Sequence, residues 1–270
     1  MKISISNIAW DVSDDELIAH KLVQYGIYAI DIAPGKYFPE PLKTKDKEIK
    51  RVKDWWASNG IEIIGMQALL FGTKGLNLFG AQIIQKEMLM HLESICHIGS
   101  ELGAKHLVFG SPKNRDRNEL TEGDAIKIAI PFFSELGEIA LKYNVEICIE
   151  PNPTIYGANF LTTTKDAAVF VQKVEHPNIK LQLDTSTVII NEEDLENILI
   201  ECSHIIGHVH ASEPNLLPYG RNRSVILNHG RIIQNYLPNH FVTIEMLKIS
   251  NDNNFEAINK AIEITQLSYI

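Results

Sequence analysis

Short apolar runs recur along the chain, and between them lie longer stretches with helical spacing. The runs are Ile3–Ser6, Tyr28–Ile32, Ile61–Gln67, Lys105–Gly110, Val145–Glu150, Ile179–Asp184, Ile205–His210 and His240–Glu245. Each is four to seven residues long and rich in isoleucine, valine, leucine and phenylalanine, which marks a buried strand. The intervening helices are predicted from Ser13 to Tyr25, Lys45 to Ser58, Gln82 to Leu102, Glu122 to Lys142, Thr163 to Val174, Glu192 to Glu201, Val225 to Tyr236 and Phe255 to Leu267. The third shows the period most clearly, with Ile84, Met88, Leu92, Ile95 and Ile98 on one face. Ser13 and Glu16 have the spacing of a capping box for the first helix, and Pro131 predicts a kink or break in the fourth.

Eight repeats of strand then helix, with no low-complexity linker and no change of composition, predict one (β/α)8 barrel domain over residues 1–270. No glycine-rich phosphate fingerprint follows the first strand, which argues against an open dinucleotide-binding sheet. Hydrophobic residues make up 45% of the chain, enough for a large core. The net charge of −9 disfavours a nucleic-acid partner. Neither a signal-peptide h-region nor a membrane-length apolar run is present. Three cysteines without C-x-x-C spacing point to a reducing compartment. The expected location is the cytoplasm, and a homo-oligomer stays open.

The chemistry concentrates where four consecutive runs end. Glu150, Asp184, His210 and Glu245 close the fifth to eighth strands, 34, 26 and 35 residues apart. Each gap has room for a helix and the next strand, so parallel strands would deliver all four to the carboxyl-end face, where barrels do chemistry. Three carboxylates and an imidazole suit Mn2+, Mg2+, Co2+ or Zn2+, with coordination positions left for a substrate. Taken singly, each could be a buried polar group tied to a neighbour; four such groups at one depth without a metal would be costly. Gln182 and His208 lie two residues before a ligand, on the same strand face and one layer deeper, where they would support the ligands by hydrogen bonds. His208, Asn152 and Glu213 are also taken as groups within reach of a substrate.

The order of these strand-end ligands resembles the xylose-isomerase-like barrels, as do Leu183-Asp184-Thr185, His208-Val209-His210 and Ile244-Glu245-Met246. Within them it resembles the sugar phosphate isomerases and epimerases, including the ketose 3-epimerases. The resemblance implies a divalent metal on Glu150, Asp184, His210 and Glu245. It also implies that Glu150 and Glu245 exchange protons with a sugar carbon beside a carbonyl through an enediolate. Three positions depart from the epimerase pattern: Thr187 replaces a histidine, Leu216 an arginine and Tyr156 a glutamate, all groups that orient substrate oxygens. An isomerase or epimerase of a sugar is therefore the first reading. A lyase like the inosose dehydratases and a non-catalytic metal or sugar binder stay open beside it. Lys113 and Arg115, on the loop after the fourth strand, and Lys36, after the second, are either solvated surface or a clamp for an anionic sugar.

Overall fold

The computed structural model describes residues 1–249 and 251–269. Eight parallel strands close into a barrel in sequence order: β1 (Lys2–Ser6), β2 (Ala29–Ile32), β3 (Glu62–Met66), β4 (His106–Phe109), β5 (Glu146–Ile149), β6 (Ile179–Asp184), β7 (Ile206–Ser212) and β8 (Phe241–Glu245). The barrel closes where Lys2–Ile5 pair with Phe241–Ile244. Closure removes both sheet edges, so no backbone ladder is left open.

Around it run α1 (Asp15–Gln24), α2 (Asp46–Ser58), α3 (Gln82–Leu102), α4 (Glu122–Lys142), α5 (Thr164–Val174), α6 (Thr185–Ile190), α7 (Leu195–Cys202), α8 (Arg223–Tyr236) and α9 (Asn251–Tyr269). The apolar stripe of α3 is buried as its period requires: Met88, Leu92, Ile95, Ile98 and Leu102 all lie inside. Among the described residues, no helix is long and apolar enough to cross a membrane. The three cysteines are free and buried.

Three local expectations change. Ser13 does not cap α1: Val12–Asp14 forms a tight 3-10 turn, and Asp14 stands at the cap with no side-chain hydrogen bond. Helix α4 runs unbroken through Pro131. It buries Phe132, Phe133, Leu136 and Ala140 against the barrel, and each large apolar side chain there contributes about 1.5–3 kcal/mol. That outweighs the roughly 3 kcal/mol cost of an internal proline. Finally, α6 starts directly at the end of β6, where the sequence pattern shows no periodic helix. Asp184 caps it, its Oδ1 accepting from the Thr187 amide at 2.7 Å.

Candidate metal centre

The carboxyl ends of β5 to β8 bring together the four side chains read from the strand ends. Glu150, Asp184, His210 and Glu245 each offer a ligand atom, and these atoms lie within 4.8 Å of one another. His210 is fully buried, Asp184 nearly so, and Glu150 and Glu245 retain slight exposure toward the mouth. The Nδ1 atom of His210 stands between the two glutamates, 3.5 Å from Glu150 Oε1 and 3.4 Å from Glu245 Oε2.

Each glutamate divides its oxygens. Glu245 Oε1 accepts from Gln67 Nε2 at 2.5 Å, leaving Oε2 toward His210. Glu150 Oε2 accepts from Asn152 Nδ2 at 3.2 Å, leaving Oε1 toward His210. Asp184 is steadied by Ser186 Oγ at 2.6 Å and Ser212 Oγ at 2.5 Å. Glycine makes room for Glu150: a methyl group on Gly110 would overlap its carboxylate.

The electrostatics of the cluster suit a cation. Burial, and then the nearby Glu150, raise the Asp184 carboxyl above its ordinary value. Burial disfavours a charged His210, yet Glu245, Asp31 and Glu150 around it push its protonation well above the usual imidazole range. Acidic groups crowded at the buried ring favour positive charge between them, which a proton on His210 or a cation would supply. Neither buried His210 nitrogen reaches hydrogen-bonding geometry: Nδ1 faces the two glutamates, as a metal-ligating nitrogen would in the free protein, and Nε2 lies 3.5 Å from Asp31 Oδ2. The residues present therefore fit a divalent ion, held by one nitrogen and up to three carboxylates.

Two lobes of a cavity meet over this centre and share Gly110, Glu150, Leu216 and Glu245. One, of about 420 Å³, is walled by Asn152, Tyr156, Thr187 and Asn215; the other, of about 520 Å³, by Ile8, Ala33, Phe71, Val108 and Leu247. Tyr156, Thr187 and Leu216, which sit where the epimerase pattern has charged or imidazole groups, thus share one wall. The Tyr156 hydroxyl accepts from the Asn215 amide at 2.7 Å, tying two mouth loops together.

Other site expectations are corrected. Lys113 is exposed and lines neither lobe. Arg115 is buried: its Nη2 donates to the Glu150 carbonyl at 2.6 Å and to Asn152 Oδ1 at 2.5 Å. The 3-10 turn Pro112–Arg115 winds the loop so that these neighbours face opposite ways. Lys36 lines the second lobe, but its ammonium is spent on the carbonyls of Asn7 and Trp10. No anion clamp is assembled. Glu213 accepts from the amides of Arg221 at 2.9 Å and Asn222 at 3.0 Å, holding its own loop and lining neither lobe. His208 lies inside the barrel, 2.7 Å from Asp31, and lines neither lobe. Gln182 is buried beside it on β6, with no hydrogen-bond partner for its amide. Gln67, Ser186, Ser212 and Asp31 were missed. Asp31 alone carried a signal, a charge inside an otherwise apolar strand.

A closed eight-stranded barrel with a carboxylate–histidine cluster at its carboxyl face defines the class: a barrel protein built around a candidate metal centre. The family model for the xylose isomerase-like TIM barrel matches residues 19–247, and the chain belongs to that family. A D-psicose 3-epimerase of Ruminiclostridium cellulolyticum is 31% identical over 90 residues, a stretch covering 33% of this chain and 30% of that protein. The crystal structure of D-psicose 3-epimerase from Clostridium cellulolyticum, solved with D-tagatose, superposes with a TM-score of 0.81 at 18% identity, covering 100% of this chain and 99% of that one. A 3-keto-D-glucoside 4-epimerase from E. coli gives 0.75 at 16% identity, covering 98% and 99%. The IOLI protein, solved with a zinc atom, gives 0.75 at 16% identity, covering 100% and 98%. At such identities the likeness establishes the fold.

Proposed function

We propose that this protein is a divalent-metal-dependent sugar epimerase or isomerase that moves a proton at a carbon next to a carbonyl, with Glu150 and Glu245 as the proton carriers. The observation that carries the reading is the pair itself. Two slightly exposed carboxylates that line the shared cavity stand on either side of His210, each with one oxygen tied back and the other turned toward His210 Nδ1. The similar proteins with printed activities, epimerases of D-psicose and of a 3-keto-D-glucoside, agree with it.

The bound ion, held by Glu150, Asp184, His210 and Glu245, would polarise the substrate's carbonyl and hydroxyl oxygens. One glutamate then accepts the carbon-bound proton, and the other donates one to the opposite face of the planar carbon. Asn152 and Gln67 fix the carboxylates by their second oxygens, so little reorientation is needed during transfer.

The substrate is a neutral sugar. Among the described residues lining the two lobes, Lys36 is the one cation, and its ammonium is already engaged. Tyr156, Thr187 and Leu216 offer hydroxyls and apolar surface where a charged wall would grip a ketose more tightly.

Solvent deuterium exchange tests this. A panel of neutral ketoses, ketose phosphates and inososes is incubated in D2O with Mn2+ and followed by NMR. Deuterium should enter one neutral sugar without loss of water, and Glu150→Gln and Glu245→Gln should each abolish it with metal bound, since an amide cannot take the proton. Exchange retained in either metal-loaded variant would place the base elsewhere, and exchange with net dehydration would make the protein a lyase.

A further inference from the structure

Inside the barrel, beneath the centre, stands a charge that the proton-transfer chemistry does not use. Asp31 on β2 is completely buried. Its Oδ2 lies 2.7 Å from His208 Nε2 and 3.5 Å from His210 Nε2, and both rings come from β7 on the far side of the barrel. The ring of His208 is held in turn by Thr243 Oγ1 at 3.1 Å, and it stacks on His106 with centroids 5.2 Å apart. Two backbone features admit the carboxylate. The register between β2 and β3 shifts at Ile30/Asp31, skipping Ile64 and bringing Gly65 opposite Asp31. The neighbouring β3 residue is Gly65, where a methyl group would sit 2.6–2.7 Å from all three carboxylate atoms.

We propose that Asp31 is the positioning residue of the metal histidine. Its Oδ2, 3.5 Å from His210 Nε2 and held at 2.7 Å by His208, is the acceptor toward which the Nε2 hydrogen turns when Nδ1 takes a metal, and so it sets the ring with Nδ1 facing Glu150 and Glu245. A carboxylate behind a ligating imidazole sets its tautomer and orientation and strengthens it as a ligand. The geometry meets that requirement from both ends: the ring's Nδ1 is 3.4–3.5 Å from the two glutamates, and its Nε2 points at the one carboxylate beneath. This proposal rests on the metal reading of the centre.

The test is metal binding rather than turnover. Mn2+ affinity is measured by calorimetry, and the visible absorption of the Co2+ form reports the ligand set. In Asp31→Asn the negative charge is lost, and one neutral amide oxygen must serve both His208 and His210. The dissociation constant should rise about 10- to 100-fold and the Co2+ spectrum should change, the range expected for losing a partner behind a ligand. Asp31→Ala/His208→Leu removes both members of the buried pair. It should restore the melting temperature of the metal-free protein toward wild type while affinity stays low. Gly65→Ala keeps every polar group and crowds the carboxylate first; it too should weaken binding. Affinity in Asp31→Asn within twofold of wild type, or affinity that returns with the melting temperature in the double variant, would mean Asp31 serves only the core. A wild type that takes up neither ion overturns the metal reading and this one together, whereas an unaffected Asp31→Asn overturns this one alone.

Discussion

The tightest contact in the centre makes Gly110→Ala the most informative single change. A Cβ at this position overlaps Glu150 Oε2 and lies 3.0 Å from its Cδ. The Gly110 backbone is not left-handed, so alanine is admitted without strain, and the burden falls on the end of a flexible side chain. The carboxylate must swing aside by about 1 Å or more, which also breaks its bond to Asn152. A displacement of that size costs about 100-fold in a reaction that depends on alignment. Stability should hardly change, because Glu150 keeps some exposure and no core atom is removed; about 1 kcal/mol is the upper expectation. Deuterium exchange in the responding sugar, with Mn2+ saturating, should therefore fall about 100-fold while the urea midpoint stays close to wild type. Exchange within threefold of wild type would show that Glu150 does not need its place against Gly110, and with it the assignment of Glu150 as a proton carrier would lose its geometric support.

Two further predictions concern charge. Burial pushes His208 down to about 4, below its unfolded value, so its contribution is complete above about pH 6.5 and lost as pH falls toward 4. His210, pushed the other way, adds no slope there, since its contribution is already complete below the unfolded value. Metal-free protein in urea should lose on the order of 3 kcal/mol more between pH 6.5 and 4 than a His208→Gln variant, in which the other shifted groups still titrate. Equal losses in the two proteins would show that His208 is charged in the fold. Lys113→Ala should leave exchange with the neutral sugar unchanged, and inorganic phosphate should not compete with it; competition relieved by the substitution would restore an anionic substrate.

The barrel and its four converging groups were legible because each is written locally: an apolar run, then a polar residue where the run ends. Asp184, His210 and Glu245 lie within their strands and Glu150 directly follows its own, so strand-end position was enough to group them. The rest depends on partners far away in the chain. Asp31 meets His208 across 177 residues, and Gln67 meets Glu245 across 178; nothing near either residue announces the contact. Gly65 and Gly110 look like ordinary strand glycines until the neighbour's carboxylate is in place. Arg115 misleads for a different reason. Its loop composition is that of a solvated surface, and only the turn at Pro112 sends Asn114 and Arg115 inward while Lys113 stays out. The departures Tyr156, Thr187 and Leu216 were visible singly, and their sharing one wall was not.

The division of parts between the two halves of the chain has a consequence for how the protein is made. All four ligands lie between residues 150 and 245, whereas Asp31, Gln67, Gly110 and Arg115, which brace or make room for them, lie between 31 and 115. During synthesis Asp31 and Gln67 emerge first, and the late half carries all four candidate ligands together with Asn152, Ser186 and Ser212, but without the partners of His210 and Glu245. On the proposed metal reading, high-affinity uptake would belong to the step at which β8 pairs with β1, so that an ion would report completion of the barrel rather than guide its assembly.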